Sequence, residues 1–453
     1  MAKICIIGGG ISGLAVLHYL KQKYASRADI DIQLLEKNDT LGGTIKSIRH
    51  DDVLFETGPN GFLSSKPRTL EFIKELGLSD ELVSADKQSE ERFLLSKGKL
   101  HALPKNPATF LKFKLLSSLE KLRIPLEYFI AKGADPVESV YDFGKRRLGK
   151  RFAQVFLDPM CAGIFGGEAQ NLNLKLAFPR IYEIEQTYGS LIKGMIALKK
   201  KKSEKHYNVE PKGTLTSFRR GMSQLIEVLS ARYQNSIVTG CEIDFINKVG
   251  GSFVIRAKNQ NLLADEVYMS VPAAAAAKMA NSLSPSLAGS LRCVFYAPMT
   301  VAGLVYRRSD FEILPFGFGY LTSSLERRDI LGVLFDSNIF PNRAGSEYFS
   351  CRVMMGGARN PSMISESKEK LLNLAKEEIK NILKVRQEPV KEFFASFPSA
   401  IPQYDKAYVQ VRENIINESL KISRLHLAAN YLGGISLNDC VENAYQTVQQ
   451  SKF

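Results

Sequence analysis

The chain has 453 residues, of which 45% are apolar and 24% charged, and its formal net charge is +14. This length predicts two or three globular domains, and the absence of a run of about eighteen apolar residues excludes a membrane-spanning helix. Six cysteines and five histidines show neither disulfide nor metal-ligand spacing, so we expect a reducing, cytoplasmic compartment and no bound metal. The positive net charge predicts anionic partners.

The chain opens with an apolar strand, Lys3 to Ile7, that runs into Gly8, Gly10 and Gly13. Glycines at this spacing fit a turn from a parallel strand into a helix, where a pyrophosphate approaches the backbone. A helix at about 14–24 and a strand at about 30–36 follow, and the strand ends in Glu36, an acid placed to hydrogen-bond a ribose. The pattern predicts adenine dinucleotide binding, with a purely structural glycine turn as the alternative.

A second glycine pair, Gly42 and Gly43, follows this unit directly, and residues 55–62 add another glycine-containing loop. Instead of continuing into another regular strand and helix, the chain turns back beside the first nucleotide site. Such loops suit a long, extended cofactor, although two ordinary surface turns would have the same spacing.

Residues 104–134 carry apolar side chains at helical spacing with lysines and arginines interleaved, and Pro125 is expected to break this helix. A basic amphipathic helix can lie on an anionic bilayer surface. A helix of a small internal subdomain with solvated charges fits the pattern at least as well. The lysine run 199–202 adds to the basic character of the region.

Later segments alternate between strands and helices. We expect the nucleotide-binding unit to resume from about residue 213, a second α+β region at 290–412, and a final strand and helix. The expected strands are 237–246, 253–257, 265–270, 300–306, 331–335, 349–355 and 425–431, and the expected helices are about 222–233, 366–383 and 437–450.

Several further segments carry a more specific pattern than the opening glycines. They are Glu91–Leu94, Leu100–Pro104, Met160–Gly167, Phe316–Leu321, Arg352–Gly357, Ile401–Tyr404 and Gly434–Val441. Taken in this order along nearly the whole chain, they resemble the flavin-dependent protoporphyrinogen oxidases. That family belongs to the superfamily that also contains amine oxidases and carotenoid desaturases.

The resemblance implies an α/β fold with a Rossmann-like FAD-binding domain of the p-hydroxybenzoate hydroxylase and amine oxidase type. The implied FAD-binding domain comprises residues 1–85, 211–275 and 416–453. An α+β substrate domain would comprise residues 86–104 and 276–415, and residues 105–210 would form a helical subdomain that is a candidate for membrane contact.

The same resemblance implies non-covalent FAD. Its diphosphate would lie on the opening glycine turn, its ribose beside Glu36 and Lys37, and its adenine beside Ile243, while the last helix would direct its N-terminus at the flavin. The implied cofactor-binding residues are Gly8, Gly9, Gly10, Ile11, Ser12, Gly13, Glu36, Lys37, Gly43, Thr44, Gly58, Pro59, Asn60, Gly61, Ile243, Ile435, Ser436 and Leu437.

The implied reaction is the six-electron oxidation of protoporphyrinogen IX to protoporphyrin IX in heme biosynthesis, with dioxygen as acceptor and hydrogen peroxide as product. Arg92 would pair with a propionate, and Phe318, Leu321 and Met354 would flank the macrocycle. An ordinary surface or core position is the alternative for these residues. Ala162 stands where some members of the family carry arginine, which leaves the second propionate without a cation. The sequence offers no obvious general base, so we assign no catalytic residue.

Other functions and partners stay open at this point. Coproporphyrinogen III, with four propionates, is the nearest alternative substrate, and a flavin amine oxidase or a non-enzymatic escort-type protein of the same fold is a more distant alternative. The expected partners are the porphyrinogen and dioxygen, with no nucleic acid. Peripheral contact with the cytoplasmic face of a membrane, handover to a ferrochelatase and a homodimer are not decided by the sequence.

Overall fold

A computed structural model of the protein describes residues 1–204, 213–258 and 260–453, with the side chains of 201–204 left aside. The domain boundary expected at residues 210 and 211, and the side chains of Lys201 and Lys202, therefore lie outside the described residues. The strands are β1 (Ala2–Ile7), β2 (Ile30–Leu35), β3 (Ser47–His50), β4 (Val53–Glu56), β5 (Phe62–Leu63), β6 (Leu82–Ser84), β7 (Phe93–Ser96), β8 (Lys99–Ala102), β9 (Leu215–Phe218), β10 (Ile237–Val238), β11 (Ile243–Val249), β12 (Ser252–Ala257), β13 (Gln260–Ala264), β14 (Glu266–Met269), β15 (Tyr296–Arg307), β16 (Gly319–Thr322), β17 (Ile330–Leu334), β18 (Tyr348–Gly356), β19 (Lys391–Pro402) and β20 (Leu425–Leu427).

Helices lie between groups of these strands, and several short 3₁₀ segments and the π-helical turn Ala153–Leu157 connect the elements. The helices are α1 (Ile11–Lys23), α2 (Pro67–Glu75), α3 (Pro107–Lys112), α4 (Ser118–Leu126), α5 (Val140–Arg147), α6 (Lys150–Phe152), α7 (Asp158–Phe165), α8 (Leu174–Ala177), α9 (Pro179–Tyr188), α10 (Leu191–Glu204), α11 (Ser223–Arg232), α12 (Ala273–Ala280), α13 (Pro285–Arg292), α14 (Asp336–Ile339), α15 (Lys368–Leu383), α16 (Tyr408–Leu420), α17 (Asn430–Gly433) and α18 (Leu437–Gln449).

A five-stranded parallel sheet, in the order β10-β2-β1-β14-β20, carries the opening glycine turn. Its strands come from the beginning, the middle and the end of the chain. β14 is buried along its whole length, as expected for a parallel strand covered on both faces. Helix α1 is buried on all sides from Gly13 to Leu20 because it packs between this sheet and α18.

A seven-stranded mixed sheet, in the order β19-β15-β18-β17-β16-β7-β8, forms the second large layer. Side chains alternate between its two faces. On β18, Cys351, Val353 and Met355 pack in a core with α15, so Arg352 and Met354 point to the opposite face. That opposite face is directed towards the five-stranded sheet and forms part of the site described below.

Two expected strands differ from those observed. The strand expected at 237–246 is two strands: β10 pairs with β2, whereas β11 pairs with β12 in a separate three-stranded sheet. Gly240, with a φ of +63°, lies in the turn between them, which explains why one apolar run serves two sheets. The strand expected at 425–431 ends at Leu427, and residues Asn430–Gly433 form the short helix α17.

The helical pattern at 104–134, expected to break at Pro125, is interrupted at other positions. The segment forms α3, α4 and a 3₁₀ turn, Glu127–Phe129, and Asn106 and Ser117 begin the two helices with separate capping boxes. Pro125 does not break α4 but lies in its last turn, and the helix ends one residue later.

The apolar residues of this segment also divide between two environments. Phe113 and Leu116 are buried in a cluster with Leu94. Leu119 and Leu122, by contrast, are 81% and 63% exposed. One apolar pattern in the sequence therefore serves both an internal contact and an outer surface.

A buried ionic network fixes this segment to the helices that follow it. Arg147 Nη1 lies 2.6 Å from Glu127 Oε1, and its Nε lies 2.5 Å from Glu185 Oε1. The Glu127 carboxylate also accepts hydrogen bonds from the backbone N–H groups of Leu191 (2.9 Å) and Ile192 (3.2 Å) at the start of α10. Because these charges are buried, removing one partner would leave another uncompensated.

Within the described ranges, no helix is both long and apolar enough to cross a membrane. In the same residues, no group of three His, Cys, Asp or Glu side chains is arranged to hold a metal ion. All six cysteines have free thiols.

Candidate active site

A cavity of about 520 Å³ lies where the two large sheets face each other, and it gathers segments from the whole chain. Many of the residues expected from the sequence form its wall. They are Gly10, Ile11, Ser12, Gly43, Thr44, Gly58, Pro59, Asn60, Gly61, Met354, Ile435, Ser436 and Leu437. The other expected residues lie outside the wall. They are Gly8, Gly9, Gly13, Glu36, Lys37, Arg92, Ile243, Phe318 and Leu321.

The opening glycines make a turn that side chains would not permit. A Cβ on Gly13 would stand 1.9 Å from the carbonyl oxygen of Gly8, and one on Gly8 would stand 2.5 Å from the carbonyl oxygen of Ser270. At Gly10, by contrast, no protein atom lies within 4 Å of an added Cβ, because this residue borders the cavity. The turn is therefore tight behind the backbone and open in front of it.

Two helix N-termini meet at the cavity. α1 begins at Ile11, directly after the turn, and α18 begins at Leu437, after Ser436. The two helices are neighbours, and Ser12 hydrogen-bonds the Cys440 thiol, whose pKa burial raises to about 11. The positive ends of two helix dipoles therefore meet at one wall, which favours an anionic group there.

Glu36 braces the glycine turn from behind. Its carboxylate accepts hydrogen bonds from the backbone N–H of Gly9 (2.7 Å) and of Asn38 (2.9 Å). Neighbouring Lys37 is exposed to solvent. Ile243 is buried in the core at the start of β11, two residues after Cys241, whose N–H donates to the Glu36 carbonyl oxygen. The roles of these residues towards a ribose and an adenine stay predictions.

The second glycine pair lies over the first turn. The backbone N–H of Gly42 donates to the carbonyl oxygen of Gly9 (2.8 Å), and Gly42 pairs with Gly10 in an isolated bridge. The loop at Gly58 is equally close, since a Cβ there would stand 2.1 Å from the carbonyl oxygen of Thr44. Both loops therefore belong to the same wall as the opening turn and are not separate surface turns.

The seven-stranded sheet supplies the apolar floor of the cavity. Val301 on β15 pairs with Met354 on β18, and Leu334 on β17 pairs with Arg352. Val301, Met354 and Leu334 all line the cavity. The register of three strands, and not their order in the chain, brings these side chains together.

Leu321 lies beside this floor under α7. A Cβ on Gly163 of α7, or one on Gly332 of β17, would stand 2.7 Å from Leu321 Cδ2. Gly163 lines the cavity, so Leu321 lies directly behind the wall and fills a slot between two glycines. Its expected contact with a substrate stays a prediction.

Arg92 and Phe318 lie at the edge of the floor. Leu334 pairs with Gly319, and Phe318 directly precedes that glycine. The Arg92 guanidinium lies over the Phe318 ring, 4.7 Å from its centre, and the Arg92 side chain is exposed. This pair is therefore accessible at the rim of the cavity and not part of its wall.

Several residues of the wall were not predicted as site residues, and Arg352, Tyr296 and Asn430 are among the polar ones. Tyr296 accepts a hydrogen bond from the backbone N–H of Ala273 (3.2 Å), and burial raises the pKa of its phenol above the usual range. Arg352 lies two residues before Met354 in an expected strand, and that alternation would have placed both side chains on one face.

Ala162 is almost completely buried and packs in a small cluster with Phe55, Met299, Val301 and Leu331. Position 162 is therefore part of a small apolar core in this chain. The structure leaves the cation for a second propionate unassigned.

The wall fits a dinucleotide with a flavin. It has open space in front of Gly10 and two helix N-termini beside that space. Within the described chain, three polar atoms of wall residues, Ser270 Oγ, Asn60 Oδ1 and Arg352 Nε, are buried without a hydrogen-bond partner. Unpartnered polar atoms are costly to bury unless a ligand or water satisfies them.

A family model described as flavin containing amine oxidoreductase matches residues 11–450. Curated relatives match over nearly the whole chain. The chain is 29% identical over 472 residues to the chloroplastic protoporphyrinogen oxidase of Nicotiana tabacum, covering 98% of this chain and 84% of the relative. It is 29% identical over 482 residues to the protoporphyrinogen oxidase of Bos taurus, covering 98% and 97% of the two chains.

Solved structures show the same fold. The crystal structure of a candidate protoporphyrinogen oxidase from Exiguobacterium sp. 255-15 aligns with a TM-score of 0.85 at 21% identity, covering 99% of this chain and 98% of that one. Cyclohexylamine oxidase from Brevibacterium oxydans IH-35A aligns with a TM-score of 0.69 at 14% identity, covering 99% of this chain and 98% of that one. The expected α/β fold of the amine oxidase type is confirmed.

Proposed function

The chain belongs to the flavin-containing amine oxidoreductases, and from its similarity to protoporphyrinogen oxidases we propose that it oxidises protoporphyrinogen IX to protoporphyrin IX in heme biosynthesis. The family confirms two expectations, that the chain is an oxidoreductase and that its cofactor is FAD. The alternative of a non-enzymatic escort-type protein is therefore set aside.

The observation that carries the choice of substrate is the combination of an apolar floor with a cation at its rim. Val301, Met354 and Leu334 present aliphatic and thioether side chains to the cavity, and the Arg92 guanidinium lies over the ring of Phe318, the residue before the Gly319 that pairs with Leu334. A flat macrocycle with charged propionates on one side requires such an arrangement of apolar walls and a few polar anchors.

Arg92 is suited to the role of anchor because its guanidinium is not engaged by a carboxylate within the described residues. The neighbouring ion pair, Glu91 with Lys105 at 2.6 Å, leaves Arg92 free. The Phe318 ring supports the guanidinium from one side and leaves its N–H groups for a ligand. A propionate bound there would form a charge-assisted and bidentate pair.

The contribution of this chain to the reaction is binding, orientation and exclusion of water. Bound FAD would accept two electrons in each round, so the six-electron oxidation takes three rounds, with three molecules of dioxygen reduced to hydrogen peroxide. The glycine turn and the N-terminus of α18 would hold the cofactor against the floor, where Met354 and Leu334 would orient the macrocycle. In the described wall no carboxylate or imidazole is placed as a general base, and we assign none.

The test is anaerobic mixing of the FAD-loaded protein with each porphyrinogen. We expect protoporphyrinogen IX to bleach the flavin absorbance within a turnover, and readmission of air to yield porphyrin and hydrogen peroxide. Faster bleaching by coproporphyrinogen III would reassign the substrate within the same reaction. Bleaching by amines alone would contradict the proposal.

We also propose peripheral contact between the helical region and an anionic membrane on the cytoplasmic side. The apolar surface consists of Leu119, Leu122, Leu126, Phe129, Met195 and Ile196, which are all exposed. Glu127 ties the end of α4 to the start of α10, and Lys193 lies over the Tyr128 ring, so the two helices present one surface. Lysines and arginines beside exposed apolar residues are typical of bilayer-binding helices.

Flotation with vesicles that contain anionic lipid tests this contact. We expect the wild type to float at low salt and the double variant Leu119→Ser and Leu122→Ser to stay at the bottom of the gradient. Leu420→Ser is the matched control, because Leu420 is equally exposed at the end of α16. If the wild type does not float, the surface is ordinary solvated protein.

A further inference from the structure

Arg352 is the one wall residue with a formal charge among the described residues that line the cavity. All other polar groups of that wall are hydroxyls, amides, a thiol and backbone atoms. The Arg352 side chain is only 3% exposed. A cation in this position acts through a medium with much lower dielectric constant than water, so its field in the cavity is strong.

The guanidinium is held in one orientation by three hydrogen bonds. Nη1 donates to the carbonyl oxygens of Glu56 and Gly58, both at 2.9 Å, and Nη2 donates to Asp336 Oδ1 at 2.8 Å. Phe55 lies against the guanidinium, with its ring centre 5.9 Å from Cζ. Arg352 is therefore preorganised and does not move to meet a ligand.

The carboxylates nearest to Arg352 are not part of the cavity wall. Asp336 bonds Arg352 but does not line the cavity, and Glu56 lies 3.2 Å from another buried arginine, Arg343. The ion pair of Arg352 with Asp336 thus presents its positive end to the cavity. Fixed charge in this arrangement favours negative charge inside the wall.

Arg352 lies at the end of the cavity where the flavin is expected, so its positive charge acts on the flavin. Its β18 neighbour Met354 and its partner Leu334 belong to the apolar floor, and Gly58, which accepts its hydrogen bond, belongs to the expected cofactor-binding loop.

We propose that Arg352 stabilises the negative charge that bound FAD acquires on reduction and thereby raises the reduction potential of the flavin. Two electrons and one proton taken from a donor leave the reduced flavin with one net negative charge. Arg352 favours that product over the neutral oxidised cofactor without taking part in proton transfer. The proposal needs FAD but does not depend on which substrate the protein oxidises.

The test compares the midpoint potential of bound FAD, measured against a reference dye, in the wild type, Arg352→Met and Arg352→Lys. We expect a more negative potential in Arg352→Met and a value close to that of the wild type in Arg352→Lys, which keeps the charge. Sulfite, an anion that adds to oxidised flavin, supplies a second readout. Its dissociation constant should rise at least about tenfold in Arg352→Met.

Asp336→Asn separates an electrostatic role from a structural one. It removes the counter-charge and keeps Arg352, so we expect the opposite shifts, a more positive potential and tighter sulfite binding. An unchanged potential in Arg352→Met, or shifts of the same sign in Arg352→Met and Asp336→Asn, would overturn the proposal. If Arg352→Met does not fold, Asp336→Asn and Arg352→Lys decide the question by the same measurements. Failure of the porphyrinogen assay would leave these results unaffected.

Discussion

The glycine turn and the apolar floor are two walls of one cavity, but they are built in different ways. The turn consists of backbone atoms from residues adjacent in the chain, Gly8 to Gly13, with no room for side chains behind them. The floor consists of side chains from three strands, including Val301, Leu334 and Met354. The first wall tolerates almost no change in shape, whereas the second tolerates changes that preserve size and polarity.

The largest effect is expected where the turn is tightest. Gly13→Ala would place a Cβ 1.9 Å from the carbonyl oxygen of Gly8, and backbone cannot yield as a flexible side chain can. We expect a loss of about 3 kcal/mol or more in the free energy of unfolding, together with loss of bound FAD. Urea denaturation and the visible spectrum of the purified protein measure the two effects.

Gly10→Ala is the matched control in the same turn. Its φ is −73° and no protein atom lies within 4 Å of the added Cβ, so the stability of the cofactor-free protein should change by less than about 0.5 kcal/mol. FAD should nevertheless bind more weakly, because the methyl group enters the space in front of the turn. Full FAD affinity in Gly10→Ala would show that the cofactor does not approach this backbone.

At the rim of the floor, Arg92→Met should act on the substrate and not on the fold. Loss of a charge-assisted pair corresponds to about 1.5–3 kcal/mol, or roughly 10–100-fold in kcat/KM for the porphyrinogen. Arg92→Lys keeps the charge but not the forked geometry, so its kcat/KM should lie between those of the wild type and Arg92→Met. Steady-state porphyrin fluorescence measures the rates. Equal kcat/KM in all three proteins would remove Arg92 from the site.

Gly332→Ala tests the floor itself. Its Cβ would stand 2.7 Å from Leu321 Cδ2 and 2.7 Å from the carbonyl oxygen of Tyr320, so we expect a loss of about 1–3 kcal/mol in stability and a higher KM. FAD content should be unchanged because the turn is remote from this change. Gly289→Ala on α13, where nothing lies within 4 Å, should instead stabilise by about 0.5–1 kcal/mol.

The smallest expected effect concerns the helix that supports the glycine turn. His18 of α1 is buried and hydrogen-bonds Tyr233 OH and Glu75 Oε2, both at 2.8 Å, and burial lowers its pKa although Glu75 opposes the shift. The unfolded chain therefore binds a proton more readily than the native protein near the usual His pKa of about 6.5. The contribution of neutral His18 to the free energy of unfolding is fully present above that pH and is lost as the pH decreases through it.

Thermal unfolding between neutral and mildly acid pH measures this dependence. His18→Gln should flatten the fall in Tm on the acid side, whereas His50→Gln should leave it unchanged because His50 is solvent-exposed. A Tm of the His18→Gln variant with the same pH dependence as that of the wild type would assign the titration to other groups.

Much of the fold was readable from local patterns. β1, α1, β2, α15 and α18 lie within a few residues of their expected bounds, because apolar periodicity, glycine turns and caps act over short distances. The prediction of one strand at 237–246 was wrong because both halves of the segment are apolar, and only their pairing partners in two different sheets separate them. The helix boundaries predicted within 104–134 were wrong because one apolar pattern contains two N-terminal caps and two burial environments.

The amino-acid sequence by itself determined the glycine turn, the paired loops at Gly43 and Gly58, and the N-terminus of the last helix. Each depends on residues adjacent in the chain, and their backbone geometry follows from the residue type. Only the tertiary structure decided that Val301 and Leu334 join Met354 in one wall, that Leu321 lies behind Gly163, and that Glu36 braces Gly9. These contacts depend on strand register and on packing between segments far apart in the chain, which no local pattern encodes.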